Sequence, residues 1–190
     1  MVPWHHASAM NIPLTKRWIE HWEGRRLVAY DDATGLAISP GVPVKGTPTI
    51  GVGLNLFTAT AKQAIAALGL NYADVISGHR PLTNAQVDSL LDSSFCVAHS
   101  AARTLIPAFD AVPENQQIVF VDLVFNLGLP RLSKFTGLLQ AARSSNWAAA
   151  AAALQDSLWF HQVGPARHQR GGADVAMLAG LCQPEEILGV

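Results

Sequence analysis

Cysteine is nearly absent from this chain. Cys96 and Cys182 are its two thiols, and neither stands in a CxxC or a Cys/His spacing that a zinc site needs. That excludes a disulfide-stapled miniature scaffold. The pair reads as two small buried thiols, with a Cys96–Cys182 bridge left open. Charge is scarce too. Charged residues make up 14% of the chain and the formal net charge is −1, which argues against a disordered polyelectrolyte and against the basic excess of a nucleic-acid binder. Long hydrophobic runs are missing: no stretch approaches the roughly 20 apolar residues of a membrane span, and the alanines from Ala148 to Ala153 are too few. The opening residues, MVPWHHASAMNIPLTKRW, hold no continuous apolar run of the kind an export signal carries. Neither a signal peptide nor stable membrane association is expected. Internal repeats and low-complexity linkers are lacking as well.

What is present is core material. Apolar residues are 49% of 190, enough for one domain, or two small lobes sharing a core. The first eleven residues read as a loose arm. A helix is predicted next, with Pro13 in its first turn, Gly24 just past its end, and Trp18, Ile19 and Trp22 as its apolar face. From Leu27 to Asn55 short apolar runs alternate with turn residues, which predicts a small antiparallel sheet of two or three strands. Thereafter the pattern is helical. Thr58–Leu68 is a short helix. Thr83-Asn84-Ala85-Gln86 fits a capping box opening a long helix to Leu105. ENQQIVFVDLVFNLG, between Pro113 and Gly128, is apolar almost all round and reads as a buried helix. Segments 134–143, 146–158 and 165–181 complete the helices. The fold class is α+β and mostly helical. A single domain is expected, with an arm (1–11), an N-terminal lobe holding the first helix and the sheet (12–82), a linking helix (83–105) and a helical lobe (106–190).

Glu23 is the anomaly. It lies at the C-terminal end of the first helix, where partial negative charge disfavours a carboxylate, and its neighbours Trp18, Ile19 and Trp22 are apolar. Both features favour the protonated form that a general acid must keep. Taken alone, a helix-end glutamate is ordinarily without a role. Asp32 stands nine positions on, in a turn after Tyr30. Two carboxylates on either side of a helix-to-strand crossing suit glycoside cleavage, one protonating the leaving oxygen and one orienting water or acting on the sugar. Thr49, ahead of Ile50-Gly51-Val52-Gly53, can add a hydroxyl.

WEGRRLVAYDD followed by TPTIGVGLNL resembles the catalytic signature of the phage T4-type lysozyme family, the family-24 glycoside hydrolases. Glu23-Gly24, Asp32 and Thr49-Ile50-Gly51-Val52-Gly53 match it by residue type. Val124 to Gly128, Phe135-Thr136, Trp147, and Ser157 to Phe160 through Pro165 to Arg167 follow in the family's order, so the resemblance spans about Ile12 to Leu181. It implies a lysozyme-like fold and an enzyme that hydrolyses the bond between N-acetylmuramic acid and N-acetylglucosamine in peptidoglycan, with inversion. Glu23 would be the general acid, and Asp32 and Thr49 would hold the attacking water. Asn55 would line the cleft on the sheet side and Phe125 and Asn126 on the helical side. Arg167 would pair with the resting catalytic glutamate. The resemblance implies no metal or organic cofactor, a monomer, and glycan strands as the partner. The family's setting implies a phage endolysin, held in the host cytoplasm until release and acting in the periplasm.

The chain also departs from the pattern. Asp32 and Thr49 are seventeen positions apart, against five or six in the family, so an extended hairpin loop is expected between them. Asp31 adjoins Asp32; the spacing favours Asp32, and Asp31 is expected to matter far less. Leu54 replaces a frequent histidine, Leu138 and Ala153 replace polar groups of the helical lobe, and Trp22 replaces an acid, which would leave Arg170 without its usual partner. His5, His6 and His21 are too unordered for a metal site. Asp122, inside the most apolar helix, must be paired or hydrogen-bonded. Trp147 and Trp159 read as core. Two other functions stay open. A lytic transglycosylase needs only one carboxylic acid, and a non-catalytic peptidoglycan-binding or virion protein needs none.

Overall fold

The computed structural model describes residues 10–39 and 41–190; most of the arm, with His5 and His6, lies outside them. The described residues form two compact units, one of the residues up to Ile19 with Val97–Val190, the other Glu20–Cys96. The boundary falls inside two helices. The first turns of the opening helix therefore belong with the helical unit, and not with the sheet as the sequence suggested.

Helix α1 (Ile12–Glu23) buries Leu14, Thr15, Trp18 and Ile19 on one face. It ends at Gly24, whose N–H donates to Glu20 O at 2.8 Å and whose φ of +71° is open to a residue without Cβ. The sheet of unit 20–96 follows: β1 (Arg26–Asp31), β2 (Pro48–Gly51) and β3 (Leu54–Asn55), antiparallel in the order β1-β2-β3. Of the other β-prone runs, Ala37 makes one isolated bridge to Tyr30 and Val42–Gly46 forms no strand. The expected long loop between Asp32 and Thr49 is present. Helix α3 (Tyr72–Ile76) packs on β1 and α2 (Ala59–Ala67) packs on α3, and Ile50, Leu56, Ile65 and Val75 are all fully buried. The Tyr72 hydroxyl donates to Leu56 O. The expected capping box opens α4 (Asn84–Leu105): Thr83 N donates to Gln86 Oε1 at 2.9 Å, and Gln86 N to Thr83 Oγ1 at 3.2 Å.

The helical unit is built on α5 (Glu114–Leu127), in which every residue from Gln116 to Val124 is buried. Its buried amides are satisfied: Gln116 Nε2 donates to Leu178 O at 3.0 Å and Gln117 Nε2 to Val112 O at 2.6 Å. Around it lie α6 (Leu129–Leu132), α7 (Thr136–Arg143), α8 (Trp147–Gln155), α9 (Leu158–Val163), α10 (Arg170–Leu178) and α11 (Pro184–Leu188). The expected 146–158 helix is broken at Ser157, whose Oγ accepts from Phe160 N and starts α9. Neither cysteine is bridged; Cys182 is buried, but Cys96 is exposed, against expectation.

One polar cluster crosses this core. Arg170, 7% exposed, holds the fully buried Asp122 with two hydrogen bonds of 2.8 Å. Arg170 therefore has an acidic partner, supplied by α5, which corrects the expectation that it would lack one. Trp18 Nε1 donates to the equally buried Asp174 at 3.3 Å. Burial first, then the negative charge of Asp122, push the Asp174 carboxyl well above the ordinary carboxylate range, against the pull of Arg170. Protonated, Asp174 can donate to Asp122. A proton retained on folding stabilises fully below the ordinary carboxyl pKa of about 3.9, and the benefit is lost as pH rises through the folded value. Asp174→Asn is expected to keep this neutral form at every pH. Thermal scans should show the variant gaining on the parent as pH rises from 4 to 8.

Candidate active site

Glu23 is the last residue of α1 and half-buried. Its side chain lies against the turn joining β2 to β3. A Cβ placed on Gly53 would stand 2.7 Å from Glu23 Oε2 and 3.1 Å from Cδ. Gly53 also has a φ of +65°, so a side chain there is strained and pushes the Glu23 carboxylate aside. Gly53→Ala is expected to destabilise by about 1–2 kcal/mol. It should cut turnover far more than that implies, because Glu23 is the group displaced. Paired thermal and kinetic measurements check this.

The sheet places the other residues. Tyr30 is the cross-strand partner of Thr49, and Thr49 of Asn55. Directly opposed residues share a face, so Tyr30, Thr49 and Asn55 form one row. Thr49 is 6% exposed and donates through Oγ1 to Thr47 O at 3.1 Å, keeping its lone pairs. Asn55 accepts Phe57 N at 2.8 Å through Oδ1, which leaves its amide NH2 as the outward donor.

The charges of both carboxylates reach Tyr30. Burial raises its phenol first; the charges of Glu23 and Asp32 raise it further, and Arg26, 5.5 Å above the ring, opposes them. Both carboxylates therefore act on this one side chain.

Asp31 and Asp32 have unlike surroundings. Asp31 is buried, and its carboxylate accepts Lys45 N at 2.8 Å, Gly46 N at 2.9 Å and Ala33 N at 3.0 Å. These bonds, that of Lys45 foremost, hold its carboxyl below the ordinary range against burial. Asp32 is exposed and accepts Thr47 N at 2.5 Å on Oδ1. Its Oδ2 has no partner among the described residues.

The residues expected from the helical unit are placed as follows. Phe125 is half-buried near the end of α5, and Asn126 is exposed and accepts Trp159 Nε1 at 2.8 Å. Arg167 is exposed; its Nη2 donates to Leu181 O at 3.0 Å and to Glu186 at 3.1 Å, an acidic partner other than the one the resemblance implied. A cavity of about 500 Å³ in this unit is lined by Leu127, Phe135, Leu138, Ala153 and Trp159, with Arg131 and Lys134 beside them. Leu138 and Ala153, the two departures from polar groups, are thus wall residues. Among the described residues no group of three His, Cys, Asp or Glu side chains is placed to hold a metal ion.

The chain is similar to known proteins. Two proteins of Dictyostelium discoideum, named probable T4-type lysozyme 2 and probable T4-type lysozyme 1, are 26% and 24% identical to the chain over 164 residues. Each match covers 82% of this chain and 89% of the relative. The phage lysozyme family model matches residues 20–173, which takes in Glu23, Asp32, Thr49, Asn55, Phe125, Asn126 and Arg167. The chain belongs to the phage lysozyme family and is a lysozyme-like peptidoglycan hydrolase.

Proposed function

We propose that the chain is a muramidase that hydrolyses the β-1,4 bond from N-acetylmuramic acid to N-acetylglucosamine. The observation that carries this reading is the placing of Glu23 against Gly53 in the β2–β3 turn, with Thr49 on β2 paired across the sheet to Tyr30, two residues before Asp32. Glu23 gives its proton to the bridging oxygen as the bond from the anomeric carbon breaks. Asp32 and the Thr49 hydroxyl hold a water. As the water's oxygen bonds to that carbon, Asp32 takes its proton. The sugar ends are a free hydroxyl on N-acetylglucosamine and a reducing N-acetylmuramic acid. Purified protein incubated with Gram-negative peptidoglycan, with sugar ends identified by mass spectrometry, tests this. Reducing N-acetylmuramic ends are expected. Anhydro ends would mean attack by the sugar's own hydroxyl, and no cleavage would mean a binding protein.

Asp32→Asn is expected to keep the fold, since the amide oxygen can still accept Thr47 N, and to lose about 10²–10⁴-fold in turnover. Release of reducing ends, read beside a circular dichroism spectrum, checks both parts. The biological setting we propose is that of an endolysin, active in the periplasm after release from the host cytoplasm. Host cells expressing the chain should lyse only when the inner membrane is permeabilised. Lysis without permeabilisation would overturn that setting and leave the chemistry untouched.

A further inference from the structure

Sixteen residues separate β1 from β2, and both ends of this loop are fastened at one point. Outbound, Thr34 N and Gly35 N donate to Asp31 O at 3.2 and 2.7 Å. On the return, Lys45 N and Gly46 N donate to the two oxygens of the Asp31 carboxylate, and Ala33 N shares one of them. One buried side chain thus closes a ring of about fourteen residues. The ring delivers Thr47, whose O accepts Asp32 N at 3.1 Å and whose N–H meets Asp32 Oδ1 at 2.5 Å. Gly46 completes the arrangement. A Cβ there would overlap Asp32 Oδ1 and stand 2.7 Å from Ala33 Cβ and 2.8 Å from Ala33 N. The returning segment fits beside Asp32 only because residue 46 has no side chain.

An exposed aspartate has free rotamers, and a catalytic carboxylate displaced by 1 Å loses about 100-fold in rate. The Thr47 N–H selects the Asp32 rotamer, and it stands where the Asp31 carboxylate puts it. We propose that Asp31 is a positioning residue for the reaction: by gathering the N–H groups of Ala33, Lys45 and Gly46 it holds Thr47 against Asp32 and fixes the carboxylate that orients water. This rests on the assignment of Asp32 made above, and it reverses the expectation that Asp31 is incidental. Asn is no substitute, because its NH2 would face one of the donors that the carboxylate accepts.

The test uses the full chain and the variants Asp31→Asn, Gly46→Ala and Asp32→Asn. Asp31→Asn and Gly46→Ala should each lower kcat on peptidoglycan about 10–100-fold with KM nearly unchanged. Gly46→Ala keeps Asp31 in place and carries the test if Asp31→Asn folds poorly. In the Asp32→Asn background, adding Asp31→Asn should cost almost nothing further, since both changes remove one function. A second readout is independent of turnover. In the parent, the Thr47 amide resonance should follow the titration of Asp32, and that coupling should vanish in Asp31→Asn and Gly46→Ala. Full additivity with Asp32→Asn, or a Thr47 amide that still follows Asp32 in both variants, would overturn the proposal alone. Near-parental activity of Asp32→Asn would overturn the Asp32 assignment and this inference with it.

Discussion

Glu23→Gln is expected to leave the protein folded and to abolish useful turnover. The substitution keeps the shape of the side chain, so the fit against Gly53 and the end of α1 at Gly24 persist. What goes is the proton. An amide cannot protonate a leaving oxygen, and general acid catalysis contributes about 10²–10⁴-fold. Stability should barely move. A carboxylate in the last turn of a helix is disfavoured by roughly 0.3–1 kcal/mol, and its loss offsets the loss of any polar partner. For a chain of this length 1 kcal/mol is about 2–4 °C, so the Tm should lie within about 3 °C of the parent. Reducing-end release and a thermal scan on one preparation decide the matter. Near-normal release by the folded variant would remove Glu23 from the mechanism. A Tm lower by 10 °C or more would mean that Glu23 serves the fold.

The sequence showed the elements that local chemistry dictates. Thr83 and Gln86 announced α4 because a capping box is written within four residues, and Pro113 and Gly128 bracketed α5. The three residues proposed as catalytic, Glu23, Asp32 and Thr49, stood out because they sit in short motifs whose order survives the inserted loop. Val42 to Gly46 looked like a strand, since apolar residues alternate there. It is none, because the Asp31 carboxylate takes the N–H groups of Lys45 and Gly46 that a ladder would use. A side chain outcompeting a strand for backbone donors leaves no periodic trace. Ser157 hid for a related reason: inside an alanine-rich stretch of high helix propensity, one N-cap hydroxyl splits α8 from α9. Least legible was the partner of Arg170. Asp122 lies 48 positions away on another helix, and only tertiary packing brings the two together.

That pairing supports the second large effect. Asp122→Asn is expected to be severely destabilising, while Asp174→Asn should cost little, although both aspartates are fully buried. The difference is their charge state. Asp174 already carries its proton, so an amide of the same shape replaces one neutral group by another. Asp122 is the anion that holds Arg170 bidentately, and a guanidinium cannot shed its charge to escape burial. Removing one partner of such a pair costs about 3–5 kcal/mol, which is about 6–20 °C of Tm in a chain of this length. With the Asp122 charge gone, burial still raises the Asp174 carboxyl and Arg170 still lowers it, so its folded pKa moves down from the parent's value. Chemical denaturation of the two single variants at pH 4 and pH 8 measures both costs. A larger cost for Asp174→Asn than for Asp122→Asn would mean that the proton sits on Asp122 and that Asp174 is the counter-ion of Arg170, and equal costs would mean that the two carboxyls share the proton.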